Sequence, residues 1–378
     1  MTAILGWVRA SVLLMAAVAV LATPPAWAEP GEKADDVAKF LAGLEPSAGS
    51  ALLPLTRDPA WRQHAKSLDV AWSKLERERL SKIRSWSAAN LIDPKPAVLY
   101  MFSGPDFLYV DAFFPDRTTY VLSGLEPIGQ IPTLARLPRG ALAPALSGLR
   151  ASVGTALNYS FFITQQMKSS LGASKLNGVL PVLYLFLARS GKTIHEVTLI
   201  GVDVDGNIVP AGTRDVAQAV KIVFSSGAEG RKQTLYYFQT DLSDGGLRRT
   251  GFLKFCERLG ISDVFIKSAS YLLHSDNFAR LRGFLLEHTA TLVQDDSGIP
   301  VRYFKANEWR LQPFGRYLGP IAVFPDRHQK GLAEVYRRSQ PPRLDFGVGY
   351  RWRPQESNLL LAVRAPRGGV AQDTTGQR

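Results

Sequence analysis

A hairpin signal near the middle of the chain constrains the fold most strongly. The stretch EVTLIGVDVDGNIVP has two β-rich arms around Asp205-Gly206, a pair that accepts the positive φ angles of a tight hairpin turn. The following runs AVKIVFSS and TLYYFQTD are rich in β-branched and aromatic residues, which favours further strands. Strands joined locally by hairpins argue against a doubly wound parallel sheet.

The N-terminal third predicts helices followed by strands. Residues 35–90 place apolar residues at helical spacings among charged ones, and IDPKP at 92–96 ends this region. The runs AVLYMF, FLYVDAFF and TTYVLSG then alternate with turn-forming SGPD and PDR, which indicates short strands. The class that follows is α+β: a helical N-terminal part, then a mixed domain of largely antiparallel strands with packed helices.

The later segments complete the predicted organisation. Residues 131–150 are read as a surface connection, and residues 151–171 as a helix. The stretches SDVFIKSASYLLH and NFARLRGFLLEHTATL are expected to be helical, and IPVRYF a strand. The alternating run RLDFGVGYRW and the later NLLLAV predict a C-terminal hairpin.

Domain boundaries follow from these patterns. The predicted parts are a signal peptide at 1–28, a helical region at 29–92, a mixed domain at 97–364 and a disordered tail at 365–378. The mixed domain is expected to be one unit or two packed subdomains with a boundary near 240–250.

The first residues predict export. Arg9 precedes an apolar stretch from Ala10 to Leu21, and the triplet Ala26-Trp27-Ala28 offers small residues at the −3 and −1 positions of a cleavage site. Cleavage after Ala28 places the mature protein in the periplasm or outside the cell. The alternative is an uncleaved membrane anchor, and no later apolar run is long enough to span a bilayer.

Composition narrows the classes of partner. The chain of 378 residues carries a formal net charge of +12, which favours an anionic glycan, lipid headgroup or envelope protein in that compartment. Nucleic acid is not expected as a partner, because it is a poor partner for this compartment and the sequence has no run of five like charges. The single cysteine, Cys256, rules out an intramolecular disulfide, and five histidines without metal-binding spacing predict neither a metal nor a cofactor.

The sequence lacks the complete form of several well-known catalytic motifs. LARSGKT ends like a phosphate-binding loop, but Phe186 stands where that motif requires glycine. The sequence contains no G-x-S-x-G elbow and no zinc-protease spacing around His195-Glu196.

Two turn-like stretches remain as candidate sites. SGPD offers Ser103 as a nucleophile and Asp106 as a base or ligand acceptor, or it is only a β-turn. TDLSDGGL offers Asp241 and Asp244 as ligands for a cation or a sugar hydroxyl, or it is a capped helix start.

QDDSGIP, at 294–300, is the third candidate. Asp295, Asp296 and Ser297 can form a polar site, although Asx-type bonds and Gly298 also explain the stretch as a turn. The downstream cluster YFKANEWRLQPFGRY adds aromatic and basic side chains for stacking on sugar rings and holding anions. These binding candidates are Trp309, Arg310, Arg316 and Tyr317.

Three of these blocks carry a resemblance. YFQTDLSDGG, KSASYLLH and QDDSGIP resemble blocks of a family of exported bacterial proteins that has no known activity. The similarity covers roughly residues 97–364. It implies export and brings no ligand, cofactor or catalytic residue.

Two functional hypotheses follow. The first is a non-enzymatic envelope protein that binds an anionic glycan, lipid headgroup or protein partner. The second is a hydrolase of an envelope glycan or ester, with Ser103 as nucleophile or Asp295 and Asp296 as general acid and base, assisted by His274 or His288.

Overall fold

The computed structural model describes residues 32–134, 137–138, 140–161, 176–214, 216–227 and 230–365. The predicted signal peptide and all but the first residue of the predicted C-terminal tail lie outside these ranges. The described residues belong to one compact unit. In the described part of the chain, no helix is both long and apolar enough to span a membrane.

The described strands form a single mixed sheet of ten strands, and the expected α+β class is confirmed. The sheet order is β4-β3-β5-β6-β2-β1-β7-β8-β10-β9. The strands are β1 (Ala97–Tyr100), β2 (Thr119–Gly124), β3 (Lys192–Val202), β4 (Ile208–Pro210), β5 (Ala217–Ser226), β6 (Lys232–Gln239), β7 (Ser262–Ile266), β8 (Thr289–Gln294), β9 (Trp309–Gly315) and β10 (Asn358–Arg364).

Helices lie between and beside these strands. The α-helices of the described residues are α1 (Ala34–Leu41), α2 (Pro59–Leu75), α3 (Ser81–Asn90), α4 (Phe107–Phe113), α5 (Leu142–Tyr159), α6 (Leu180–Arg189), α7 (Asp244–Leu247), α8 (Phe252–Arg258), α9 (Ala279–His288) and α10 (Lys330–Ser339). A π-helical turn, Glu76–Leu80, joins α2 to α3, so the helical N-terminal region matches the sequence pattern.

Five central strands, β6, β2, β1, β7 and β8, run parallel to one another. Antiparallel strands flank them, with β5, β3 and β4 on one side, joined by hairpins, and β10 and β9 on the other, joined by a long connection. Helices α1–α6 contribute to the core on one face and α7–α9 to the core on the other. The argument against a doubly wound sheet is therefore wrong for the centre, because the hairpins lie only at its margins.

The predicted hairpin at Asp205-Gly206 is confirmed. Val202 pairs with Ile208 across the turn, and Gly206 has a φ of +80°. Strands β5 and β6 also lie where the sequence predicts them. The apolar run at 179–188 forms the buried helix α6.

Several local predictions are wrong. FLYVDAFF is predicted as a strand but forms helix α4. Nearly all its side chains are buried, so the sequence shows no periodicity that distinguishes a helix from a strand. SDVFI forms strand β7, buried along its whole length. IPVRYF contains a short 3-10 turn, Val301–Tyr303, and α5 begins at Leu142 inside the predicted surface connection.

The predicted C-terminal hairpin is also wrong. Residues 344–352 form only an isolated bridge between Val348 and Arg351, where the chain folds back tightly. A Cβ added at Gly347 would lie 1.6 Å from the Trp352 carbonyl oxygen, so an extended strand does not fit here. Strand β10 instead pairs with β8 and β9.

Candidate functional site

A cavity of the described residues opens at the carboxyl ends of the central strands. After β1 the chain passes to α4 on one face of the sheet, and after β7 it passes to α9 on the other. Neighbouring parallel strands whose connections diverge leave a crevice between them, and ligands of open α/β sheets bind in this crevice. The cavity here has a volume of about 280 Å³.

Four loops line the cavity, and each follows a parallel strand. They are the loops after β1, β2, β6 and β7, with Phe161, Phe278 and Tyr350 completing the wall. The lining has an aromatic and aliphatic part and a polar part. The polar side chains are Tyr100, Ser103, Asp106, Glu126, Thr240, Asp241, Lys267, Ser268 and Ser270.

The loop after β7 has an unusual backbone. Ser268, Ser270 and Tyr271 have φ angles near +50°, a left-handed conformation that non-glycine residues adopt at a cost of roughly 1–3 kcal/mol each. Phe102, in the facing loop after β1, has a φ of +59°. Backbone conformations of this kind concentrate at functional sites, so their position around the cavity supports a binding role.

A buried ion pair lies beneath the cavity. Lys267 Nζ is 2.7 Å from Asp106 Oδ2, and their side chains are 2% and 1% exposed. The same carboxylate oxygen accepts the Tyr100 hydroxyl at 2.8 Å. Burial and the neighbouring Asp106 raise the pKa of Tyr100 well above its usual value. Lys267 also donates to the Ser160 carbonyl and lies 4.4 Å from the centre of the Tyr109 ring.

Glu126 provides a second buried carboxylate. Its residue is 6% exposed, and its Oε2 accepts a hydrogen bond from the Tyr237 hydroxyl at 3.3 Å. A Cβ at Gly124 would lie 2.3 Å from this Oε2, so the wall leaves no room for a larger residue there. No described Lys or Arg forms a salt bridge with Glu126, which leaves its charge without a cationic partner inside that part of the chain.

Two hydroxyl groups of the lining have unused hydrogen-bonding capacity. The buried atoms Thr240 Oγ1 and Ser268 Oγ have no hydrogen-bond partner among the described residues. A buried polar group without a partner costs about 1–3 kcal/mol, so native proteins rarely retain one without reason. Both residues line the same cavity.

Comparison with known proteins identifies no relative. No protein-family model, no curated protein and no solved structure matches the chain.

The SGPD candidate lies at the cavity. Asp106 begins α4 as its N-cap, accepting the Tyr109 backbone N–H at 3.3 Å. Ser103 Oγ donates to backbone carbonyls at 104 and 123 and accepts the Ser123 N–H at 3.1 Å. Ser103 therefore lines the cavity with its hydroxyl committed to the backbone, and no described histidine lines the cavity beside it.

The QDDSGIP candidate is a buried turn that holds the strained loop. Asp295 Oδ2 accepts the Ser268 N–H at 2.8 Å, and Ser297 Oγ accepts the Ala269 N–H at 2.8 Å. Asp296 Oδ2 accepts the Tyr271 hydroxyl at 2.7 Å. Neither carboxyl group lines the cavity. The turn supports the wall of the site from behind.

Burial governs the electrostatics of this turn. Desolvation, with the adjacent Asp296 as a second cause, raises the pKa of Asp295, and desolvation also raises that of Asp296. His274 lies beside the same turn, with its Nε2 3.5 Å from Gln329 Nε2. Burial lowers the pKa of His274 to about 4, which favours the neutral imidazole.

The two aspartates of the TDLSDGGL candidate lie in different places, one at the cavity and one in helix α7. Asp241 lines the cavity, is exposed, and lies 3.9 Å from Arg249. Asp244 stands in the first turn of α7 and accepts the Arg280 backbone N–H at 2.9 Å. Ser243 caps that turn by accepting the Gly246 N–H.

The predicted aromatic-basic cluster lies away from the cavity. Trp309 is buried on β9 against Phe304, so it offers no stacking surface. Arg310 and Arg316 are exposed, and Tyr317 accepts the Gln329 backbone N–H at 2.9 Å. His288, at the end of α9, stacks on Phe284. None of these residues lines the cavity, so they do not form one site with Ser103 and Asp106.

Sequence reasoning missed most residues of the site, among them Tyr100, Glu126, Thr240, Lys267 and Ser268. Each of these five stands at or just beyond the last residue of a parallel strand. The available signal was a polar residue directly after a short apolar run, as in VFIKS. That signal requires SDVFI to be recognised as a strand.

Proposed function

We propose that the chain binds a small molecule in the cavity between the ends of β1 and β7. The observation that carries the proposal is the pair of buried hydroxyl groups, on Thr240 and Ser268, that lack partners among the described residues. A ligand with hydrogen-bonding groups satisfies them and removes the cost of leaving them unpaired. The site's place at the divergence of two strand connections supports the same function.

The residues that line the cavity indicate which kind of ligand fits it. Phe102 packs edge-on against Phe278 with ring centres 5.7 Å apart, and Phe161 packs similarly against Tyr350 at 5.3 Å. These rings favour an apolar surface of the ligand, whereas the polar wall favours hydroxyl or amino groups. The volume is near the lower end of the roughly 300–1,000 Å³ typical of small-molecule sites, which suits one ring or a short chain.

The proposal retains the exported setting expected from the N-terminus, and with it a ligand available outside the inner membrane. The hydrolase alternative receives less support, since its candidates Asp295, Asp296 and the two histidines do not line the cavity at which Ser103 and Asp106 lie. The anionic partner expected from the net charge remains a separate proposal for the outer surface.

The test compares two buried threonines. Thr240 and Thr289 both carry a buried hydroxyl without a described partner, but only Thr240 lines the cavity. A fragment library is screened by thermal shift, and the dissociation constants of the hits are measured for wild type, Thr240→Val and Thr289→Val. We expect Thr240→Val to weaken binding by roughly 2- to 10-fold and Thr289→Val to leave it unchanged. Hits that bind both variants like wild type, or an empty screen, contradict the proposal.

A further inference from the structure

We propose that the ligand of this cavity is an organic cation, held by the Glu126 carboxylate and the surrounding aromatic rings. The inference rests on the proposed function and names the class of its ligand. Three features carry it: the charge of the wall, the rings of the wall and the hydroxyl groups between them.

The described charges of the wall leave an excess of negative charge. Lys267 and Asp106 neutralise each other at 2.7 Å. Asp241 has only a distant, solvent-exposed partner in Arg249. Glu126 is nine-tenths buried and forms no salt bridge within the described part of the chain. A buried carboxylate without a cation is costly, and a cationic ligand offsets that cost.

The position of Glu126 is determined on three sides. The Tyr237 hydroxyl donates to the Glu126 carbonyl oxygen at 2.9 Å and, at a longer 3.3 Å, to the Glu126 carboxylate. Gly104 and Gly124 lie closely against Oε2, with added Cβ atoms at 3.7 Å and 2.3 Å from it. The carboxylate is thus held at the cavity wall, and it cannot swing out to solvent without breaking the Tyr237 hydrogen bond.

The aromatic rings add to the attraction for a cation. The faces of aromatic rings carry partial negative charge, and cations with apolar substituents bind to them at about 0.5–2 kcal/mol in other proteins. Phe102, Phe161, Phe278 and Tyr350 all line this cavity. Rings beside a carboxylate that forms no salt bridge within the described residues suit an ammonium group with carbon substituents better than an anion or a neutral sugar.

The hydroxyl groups of Thr240 and Ser268 complete the pattern. Each can donate to or accept from a hydroxyl group on the ligand. An amino alcohol therefore matches the wall more fully than a simple amine. Choline has this chemistry, and 3,3-dimethylbutan-1-ol is its uncharged counterpart with carbon in place of nitrogen.

The experiment measures binding of these two probes to the mature protein by calorimetry. We expect choline to bind at least about tenfold more tightly than 3,3-dimethylbutan-1-ol. In Glu126→Gln the affinity for choline falls by about tenfold or more, and the affinity for the uncharged probe stays the same. Glu257→Gln, on an exposed position of α8, is the matched control and leaves both affinities unchanged.

Three results overturn the inference. They are equal binding of both probes, choline binding that Glu126→Gln does not change, and failure of choline to bind at all. The proposed function fails separately, in the fragment screen with Thr240→Val and Thr289→Val, so the two failures are distinguished. A uniform loss of folding in Glu126→Gln is detected by circular dichroism, and Glu126→Asp then replaces it, with weakened choline binding expected.

Discussion

Replacing Asp106 with asparagine removes the counterion of a buried ammonium group. Lys267 Nζ lies 2.7 Å from Asp106 Oδ2 at a position only 2% exposed. The same substitution disturbs the Tyr100 hydrogen bond and the N-cap of α4. After the change, the ammonium keeps the Ser160 carbonyl and the Tyr109 ring but loses its negatively charged partner.

The expected cost follows from burial. Breaking a buried ion pair by removing one partner costs about 3–5 kcal/mol, because the remaining charge stays buried without compensation. An exposed pair contributes only about 0–1 kcal/mol. Since a whole domain is stable by about 5–15 kcal/mol, Asp106→Asn is expected to remove about a fifth or more of the free energy of unfolding.

Urea unfolding, followed by tryptophan fluorescence, measures this cost. We expect the midpoint to fall by about 1 M or more for a protein of this size. Asp93→Asn is the control, because Asp93 pairs with Lys95 at a side chain that is 83% exposed, and its midpoint should hardly move. The double variant Asp106→Asn/Lys267→Met should recover much of the loss. A loss below about 1 kcal/mol in Asp106→Asn refutes the reasoning.

Three further predictions test other parts of the structure. Burial lowers the pKa of His64 to about 4, below its value in the unfolded chain. Because the unfolded chain then binds the proton more readily, the free energy of unfolding is highest above pH 6.5 and falls by up to about 3 kcal/mol toward pH 4. Urea unfolding of wild type and His64→Gln should therefore converge as pH falls, and a constant difference contradicts this. Gly124→Ala should cost about 1–3 kcal/mol and weaken choline binding, while Gly154→Ala, with open space around it in α5, should stabilise slightly. Mass spectrometry of the exported protein should find Glu29 as the first residue, and an intact Met1 in the cytosol contradicts export.

The margins of the sheet are the part that sequence predicts well. Asp205-Gly206 between β-rich arms specifies its hairpin locally, because the turn type and the strand propensities lie within a few residues. The helices of residues 34–90 follow from the spacing of their apolar residues. Asp58 also marks the start of α2, where its side chain accepts the Ala60 N–H.

The centre of the sheet is harder to predict for a physical reason. Strand β7 and helix α4 are both short and almost completely buried, so neither shows an alternation that marks one exposed face. The pairing of β1 with β7 joins residues more than 160 positions apart, and no local pattern specifies it.

The same limit applies to the site. SGPD was identified because glycine, proline and aspartate mark a loop after a strand. The partnership of Asp106 with Lys267 depends on the distant pairing of β1 with β7, so composition gives no sign of it. QDDSGIP was identified for its carboxylates, which instead hold the loop from 268 to 271 by hydrogen bonds.

A crystal structure of the mature protein soaked with choline tests the central claim most directly. We expect density for the cation between Phe102, Phe278 and Tyr350, with its nitrogen near the Glu126 carboxylate and its hydroxyl group within hydrogen-bonding distance of Thr240 Oγ1 or Ser268 Oγ. Choline bound only elsewhere, with this cavity holding nothing but solvent at saturating concentration, contradicts the account.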